Sequence, residues 1–153
     1  MIIMKKDMLI SFVFMLSVIF GGIPIAGLSP EFNAYVEARY KTYTAEDRAL
    51  LAEVMYHENY CNGDYIMKLT GSVVLNRVKC EWYPNSIKDV LYQKGQYATV
   101  EKFYTEPIPR KVYRHADHLL LFGSIAPDYV LFQSTYPNLG TVWYSENGEY
   151  FSY

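Results

Sequence analysis

Glu58 has the surroundings most suggestive of chemistry. It follows Leu51 by seven positions, Val54 by four and Met55 by three, so it projects from the apolar stripe of a helix. A carboxyl on such a face is desolvated unless it opens into a cleft, and desolvation favours the protonated form. An acid held neutral near pH 7 can hand a proton to a leaving oxygen. The bland alternative is a helix-end glutamate that swings to solvent or pairs with Arg77. His57-Glu58 with Cys61 approaches the zinc motif H-E-x-x-H, with cysteine in the second ligand place and His115 or His118 able to supply a third ligand. Asn59, Asn62 and Gly63 interrupt the helix that would have to present both ligands, so the expectation is no metal and no other cofactor. Cys61 and His57 could also form a thiol–imidazole pair, but nothing orders a third member. The chain holds no nucleophile elbow, P-loop, G-x-G-x-x-G or paired C-x-x-C.

These groups must be held by elements that the pattern outlines. Thr44-Ala45-Glu46-Asp47 resembles a capping box, and Leu50, Leu51, Val54 and Met55 follow at helical spacing. Asn62-Gly63 stops that helix. A second helix starts near Asp64 and carries Ile66, Leu69, Thr70, Val73, Val74 and Arg77 on one face. Asn76 and Arg77 sit near its end, where the simplest role of the guanidinium is to satisfy backbone carbonyls. Trp82-Tyr83-Pro84-Asn85 breaks the pattern, and Ser86 caps a short helix through Leu91. The stretch 92–109 has no periodicity and reads as a long loop, a length that usually means function or mobility. Gln93, Gln96, Tyr97 and Thr99 lie in it, with amide, phenol and hydroxyl groups suited to sugar hydroxyls and acetamido groups. Pro109 opens a helix to Phe122, closed by Gly123. Tyr129–Phe132 is a strand candidate, and Asn147-Gly148 marks a hairpin between Thr141–Glu146 and Glu149–Tyr153. Helices first and a small antiparallel sheet last make an α+β domain.

A chain of 153 residues holds one such domain and little more. A formal net charge of −2 argues against a nucleic-acid surface, and 51% hydrophobic against 20% charged residues argues against disorder. Sixteen tyrosines are the anomaly, able to stack on and hydrogen-bond a polar ligand or simply to fill half-buried sites. Lys5 and Lys6 precede 23 uncharged residues, Met8–Pro30, which describes a signal peptide or an uncleaved anchor over residues 1–27. The rest of the chain is then exported, with any membrane contact through this segment alone. Residues 28–43 read as a polar linker and 44–153 as the functional domain, expected to act as a monomer. Export invites a disulfide between Cys61 and Cys80. A helix over Asp64–Lys79 would hold its ends about 24 Å apart, whereas a disulfide needs Cα atoms within about 7 Å. Two free cysteines are expected.

Three blocks carry a resemblance. Leu51-Ala52-Glu53-Val54-Met55-Tyr56-His57-Glu58, then Val73-Val74-Leu75-Asn76-Arg77-Val78, then Tyr83-Pro84-Asn85-Ser86-Ile87 running on to Gly95-Gln96-Tyr97 are similar to the catalytic domain of bacterial cell-wall hydrolases typified by the spore cortex-lytic enzyme. The resemblance is close over residues 47–100 and looser over 110–153. It implies a lysozyme-like α+β fold acting on peptidoglycan glycan strands, with the essential glutamate at Glu58. The matched positions make Gln96, Tyr97 and Asn76 substrate-binding candidates, and Thr99, two residues beyond the matched loop motif, is taken with them. It further implies protonation of the glycosidic oxygen between N-acetylmuramic acid and N-acetylglucosamine. A lytic transglycosylase does this with one carboxyl, whereas ordinary glycoside hydrolysis usually needs two. No second acid is evident beside Glu58 in the sequence, which favours the transglycosylase. The family's A-x-G-E after the glutamate is here Asn59-Tyr60-Cys61-Asn62, so a glycine has become Cys61 and a second acid Asn62. These departures leave a catalytically impaired, peptidoglycan-binding or envelope protein as the alternative, and a zinc hydrolase using His57 and Cys61 as a remoter one.

Overall fold

The computed structural model describes residues 29–137 and 139–153. The expected signal or anchor segment, 1–27, lies outside them. The described residues fall into two units that divide between Thr44 and Ala45. The described part of the first is a helix, α1, Pro30–Thr42. Its start is well specified: the Ser29 hydroxyl accepts from Phe32 N at 3.2 Å, Pro30 occupies the first turn, and Glu31 meets the positive end of the helix dipole. The linker reading of 28–43 gave this stretch no helix, because its polar faces show no apolar stripe. Among the described residues no helix is long and apolar enough to cross a membrane.

In the second unit α2 spans Ala45–Asn59 and buries Leu50, Leu51, Val54 and Met55. A 3-10 turn, Tyr60–Asn62, and Gly63 at φ 94° reverse the chain into α3, Asp64–Lys79. Gly63 adopts a backbone conformation that a side chain would strain. Along α3, Ile66, Leu69, Val73 and Val74 are buried together with Asn76 and Arg77. Gly71 lies where α2 and α5, Arg110–Phe122, close on α3. A Cβ there would come within 2.5 Å of Leu119 Cδ1 and 2.8 Å of Met55 Sδ. The α2–α5 contact is tied by Arg48, whose Nη2 donates to Asp117 Oδ2 at 3.0 Å. Burial pushes the Asp117 carboxyl up and the Arg48 guanidinium opposes the shift.

The short helix α4, Ile87–Leu91, is capped as expected, Ser86 Oγ accepting from Asp89 N at 3.1 Å. The stretch read as structureless, 92–109, contains a 3-10 helix over Ala98–Lys102. Five residues are too few for an apolar period to register in sequence. Pro109 is the residue before α5 rather than its first, and Gly123 at φ 89° closes it, its N–H reaching Leu119 O at 2.8 Å.

The sheet has three antiparallel strands in the order β1-β3-β2: β1 Phe132–Ser134, β2 Val142–Glu146 and β3 Glu149–Ser152. Asn147 at φ 53° and Gly148 at φ 81° form the hairpin turn the sequence marked. The first strand starts at Phe132 rather than Tyr129. Val130 is wholly buried but belongs to a turn closed by its own N–H to Pro127 O at 2.9 Å, so its apolar character serves the core and not a ladder. Ala126, Val130 and Phe151 pack on Ile66, Leu69 and Val73, which sets the sheet against α3. The architecture is α+β, helices followed by a small antiparallel sheet. Cys61 is exposed and Cys80 half-buried, both free, on either side of α3.

Candidate active site

Glu58 stands in the last turn of α2, half-buried, and its Oε1 accepts the Thr99 hydroxyl at 2.6 Å. That bond joins the helix to the 3-10 helix Ala98–Lys102. The turn behind Glu58 is fastened from several sides. Buried Asn59 donates to Thr70 Oγ1 at 2.8 Å and accepts from Asn62 Nδ2 at 2.7 Å, and Asn147 Nδ2 reaches Asn62 O at 3.3 Å. Asn62, the position that departs from an acid, is therefore a strut of this corner. The carboxylate-bearing helix end is held rigidly against α3 and the β2–β3 hairpin, the kind of support a functional side chain needs.

A second acid, Glu149, stands close to Glu58, and the sequence reading missed it. It is the first residue of β3, 8% exposed, receiving Gln133 Nε2 at 3.1 Å and a bond from the Asn59 side chain. Burial is the main cause pushing its carboxyl up; the charge of Glu58 adds to the shift, and the bonds from Gln133 and Asn59 oppose it. A signal did exist: Glu149 is two residues before Phe151, so in a strand both share the face turned to the core.

Tyr97 forms another wall. Its ring is buried, and its hydroxyl has no hydrogen-bond partner among the described residues. Burial raises its pKa to about 12, with Glu58 and Tyr83 reinforcing the shift and Arg77 countering it. The phenol thus stays a proton donor close to Glu58. The Arg77 guanidinium lies over the rings of Tyr83 and Tyr97, at 5.1 and 5.3 Å, while its Nε donates to Leu131 O at 2.7 Å. Arg77 is a buried keystone between the loop and the sheet, as its simpler reading held.

The other candidates separate from this cluster. Asn76 is 1% exposed, and its amide donates to Pro127 O at 2.7 Å and Val130 O at 3.0 Å, so it anchors a turn rather than meeting a ligand. Gln96 is exposed, and its backbone closes a turn onto Gln93; nothing brings its amide to Glu58. His57 points toward Glu53, Nε2 to Oε2 at 3.2 Å, and away from the zinc arrangement, because the α-helix ends at Asn59 and Cys61 sits exposed on the following 3-10 turn. His115 faces Asp64 at 3.4 Å. Among the described residues no group of three His, Cys, Asp or Glu side chains is placed to hold a metal.

The cluster of Glu58, Thr99, Tyr97 and Glu149 offers a proton donor and acceptor at a fixed helix end, flanked by a protonated phenol and a second carboxyl. A family model described as Cell Wall Hydrolase matches residues 63–150, more than half of the chain. The match opens just after Glu58 and takes in Tyr97, Thr99 and Glu149. No curated protein and no solved structure matches the chain. The chain belongs to the cell wall hydrolase family.

Proposed function

We propose that this cell-wall hydrolase cleaves the glycan strands of peptidoglycan as a lytic transglycosylase, with Glu58 as the acid and then the base. The observation that carries the reading is the Thr99–Glu58 hydrogen bond at 2.6 Å, which aims a half-buried carboxyl from a braced helix end. In the proposed first step Glu58 gives its proton to the glycosidic oxygen, and the bond from that oxygen to the muramyl C1 breaks. The muramyl 6-hydroxyl then closes on C1, and its proton returns to the Glu58 carboxylate. No water is consumed. The positive-then-apolar start of the sequence, Lys5 and Lys6 before Met8–Pro30, supports export to the wall.

Glu149 favours a second reading, hydrolysis, because two carboxyls side by side are the usual equipment for adding water to a glycoside. Its 8% exposure and its bonds to Gln133 and Asn59 make it a poor base for a mobile water, so the one-carboxyl route is preferred. Mass spectrometry of peptidoglycan digested with the full chain, beside its Glu58→Gln variant, tests both. Anhydromuramyl ends from the native chain, with release lowered by about 10²–10⁴-fold in the variant, are expected. Reducing ends would replace transglycosylation by hydrolysis. Fragments at equal rates from both proteins would remove Glu58 from the chemistry, and none from either would leave a binding protein.

A further inference from the structure

At the C-terminal end of α3 lies a cavity of about 620 Å³ walled by aromatic rings, Trp82, Tyr83, Tyr129, Phe132 and Tyr153, with Asn76 at its floor. We propose that this cavity is a second glycan-binding site, which holds an N-acetylhexosamine of the wall strand away from the bond being cut. The proposal rests on the reading that the chain acts on glycan.

Trp82 is 80% exposed, and Tyr129 and Tyr153 are each about half exposed. The core accounts for none of these three rings, and large aromatic groups gathered in one concavity mark a binding surface. Tyr129 and Tyr153 meet edge to face at 4.9 Å, which fixes the angle between two walls. Flat rings presented in this way match the C–H faces of a pyranose. The polar groups suit a neutral ligand. Lys79 and Asp128 neutralise one another across the rim at 3.0 Å, yet retain spare donors and lone pairs for hydroxyls. Asn76 lines the floor but is 1% exposed, so it shapes the cavity and leaves ligand contact to the rings and the rim pair. A charged stem peptide would have to compete with the Lys79–Asp128 pair.

The cavity also adjoins the candidate active site. Tyr83 is in its wall and takes the Arg77 guanidinium on its ring, and the same guanidinium covers Tyr97 next to Glu58. A polymer held at both places would bridge this aromatic–guanidinium stack.

Trp82 and Trp143 are the two tryptophans of the chain, so Trp82 can report on its own pocket. The full chain carrying Glu58→Gln and Trp143→Phe is titrated with a tetramer of β-1,4-linked N-acetylglucosamine while tryptophan emission is followed. A saturable blue shift is expected, and Tyr129→Ala is expected to weaken the apparent affinity roughly tenfold. A Trp82 signal that stays flat at millimolar oligomer overturns the proposal, as does a shift that Tyr129→Ala leaves intact or one produced by lipid vesicles and not by the oligomer. In parallel, the chain with Trp82→Ala and native Glu58 is assayed on whole wall and on a soluble tetramer of alternating N-acetylglucosamine and N-acetylmuramic acid. Loss of whole-wall cleavage with tetramer cleavage kept supports the second site. Cleavage of wall by the native chain with Trp82 silent sinks the site and leaves the proposed function standing. A Trp82 response without any cleavage does the reverse.

Discussion

Thr99 donates its hydroxyl hydrogen to Glu58 at 2.6 Å, across 41 positions of sequence. The donor stands on a 3-10 helix and the acceptor in the last turn of α2, so the bond sets where the carboxyl points only when both segments are folded. Under the proposed mechanism Thr99 acts through Glu58, as a positioning residue, where the sequence placed it among the substrate-binding candidates.

The first prediction follows from that geometry. Thr99→Val keeps the side-chain shape and removes the donor. In the proposed reaction Glu58 becomes charged as the glycosidic bond breaks, and a hydrogen bond to an ionised group is worth about 1.5–3 kcal/mol, so kcat is expected to fall roughly tenfold to a hundredfold. KM should stay near its native value, and Thr99→Ser, which keeps the hydroxyl, should restore most of the rate. Steady-state assays on soluble glycan oligomers measure all three. A rise in KM at constant kcat would return Thr99 to substrate contact.

How much of this was legible depends on the range of the signal. The apolar periods of Leu50–Met55 and Ile66–Val74 place the two central helices, and Asn147-Gly148 places the hairpin, because each is a local pattern with a local cause. Glu58 stood out for the same reason, being polar on an apolar stripe. Thr99 was visible only as a loop hydroxyl, since no local pattern encodes a partner 41 positions away. Glu149 was hidden by its neighbours: beside an exposed turn a glutamate looks solvated, and only strand alternation with Phe151 turns it inward. Asn76 misled because a polar residue near a helix end looks available, while its amide is spent on the carbonyls of Pro127 and Val130.

Glu149 carries a pH signature. Its folded carboxyl is raised above the ordinary value of 4.5, burial first among the causes. The folded protein therefore holds this proton more tightly than the unfolded chain does. Stability from this group is full below the unfolded value and is lost as pH rises through the folded one. Glu149→Gln cannot ionise and escapes that loss. The melting temperature of the variant minus that of the native chain should grow as pH is raised from about 4 to about 7. Melts followed by circular dichroism across that range decide it; a difference that is flat or shrinks with pH would refute the buried, destabilised carboxylate. The same variant digested with peptidoglycan should still yield anhydromuramyl ends if Glu149 is not the base for water.

Asn76 separates structure from recognition. Asn76→Asp preserves size but replaces the donating amide with an oxygen set 2.7 and 3.0 Å from two carbonyl oxygens. Two buried acceptors lose their partner and face a new negative charge. The cost is about 2–4 kcal/mol, which for a domain of this size lowers the melting temperature by roughly 10 °C or more. At a temperature where the variant is still folded, KM for soluble glycan oligomers should change little, because the side chain does not reach the Glu58 cluster. Thermal melts and kinetics on one preparation measure both quantities. An unshifted melt with a raised KM would instead make Asn76 a ligand-binding group and would detach the Pro127–Val130 turn from it.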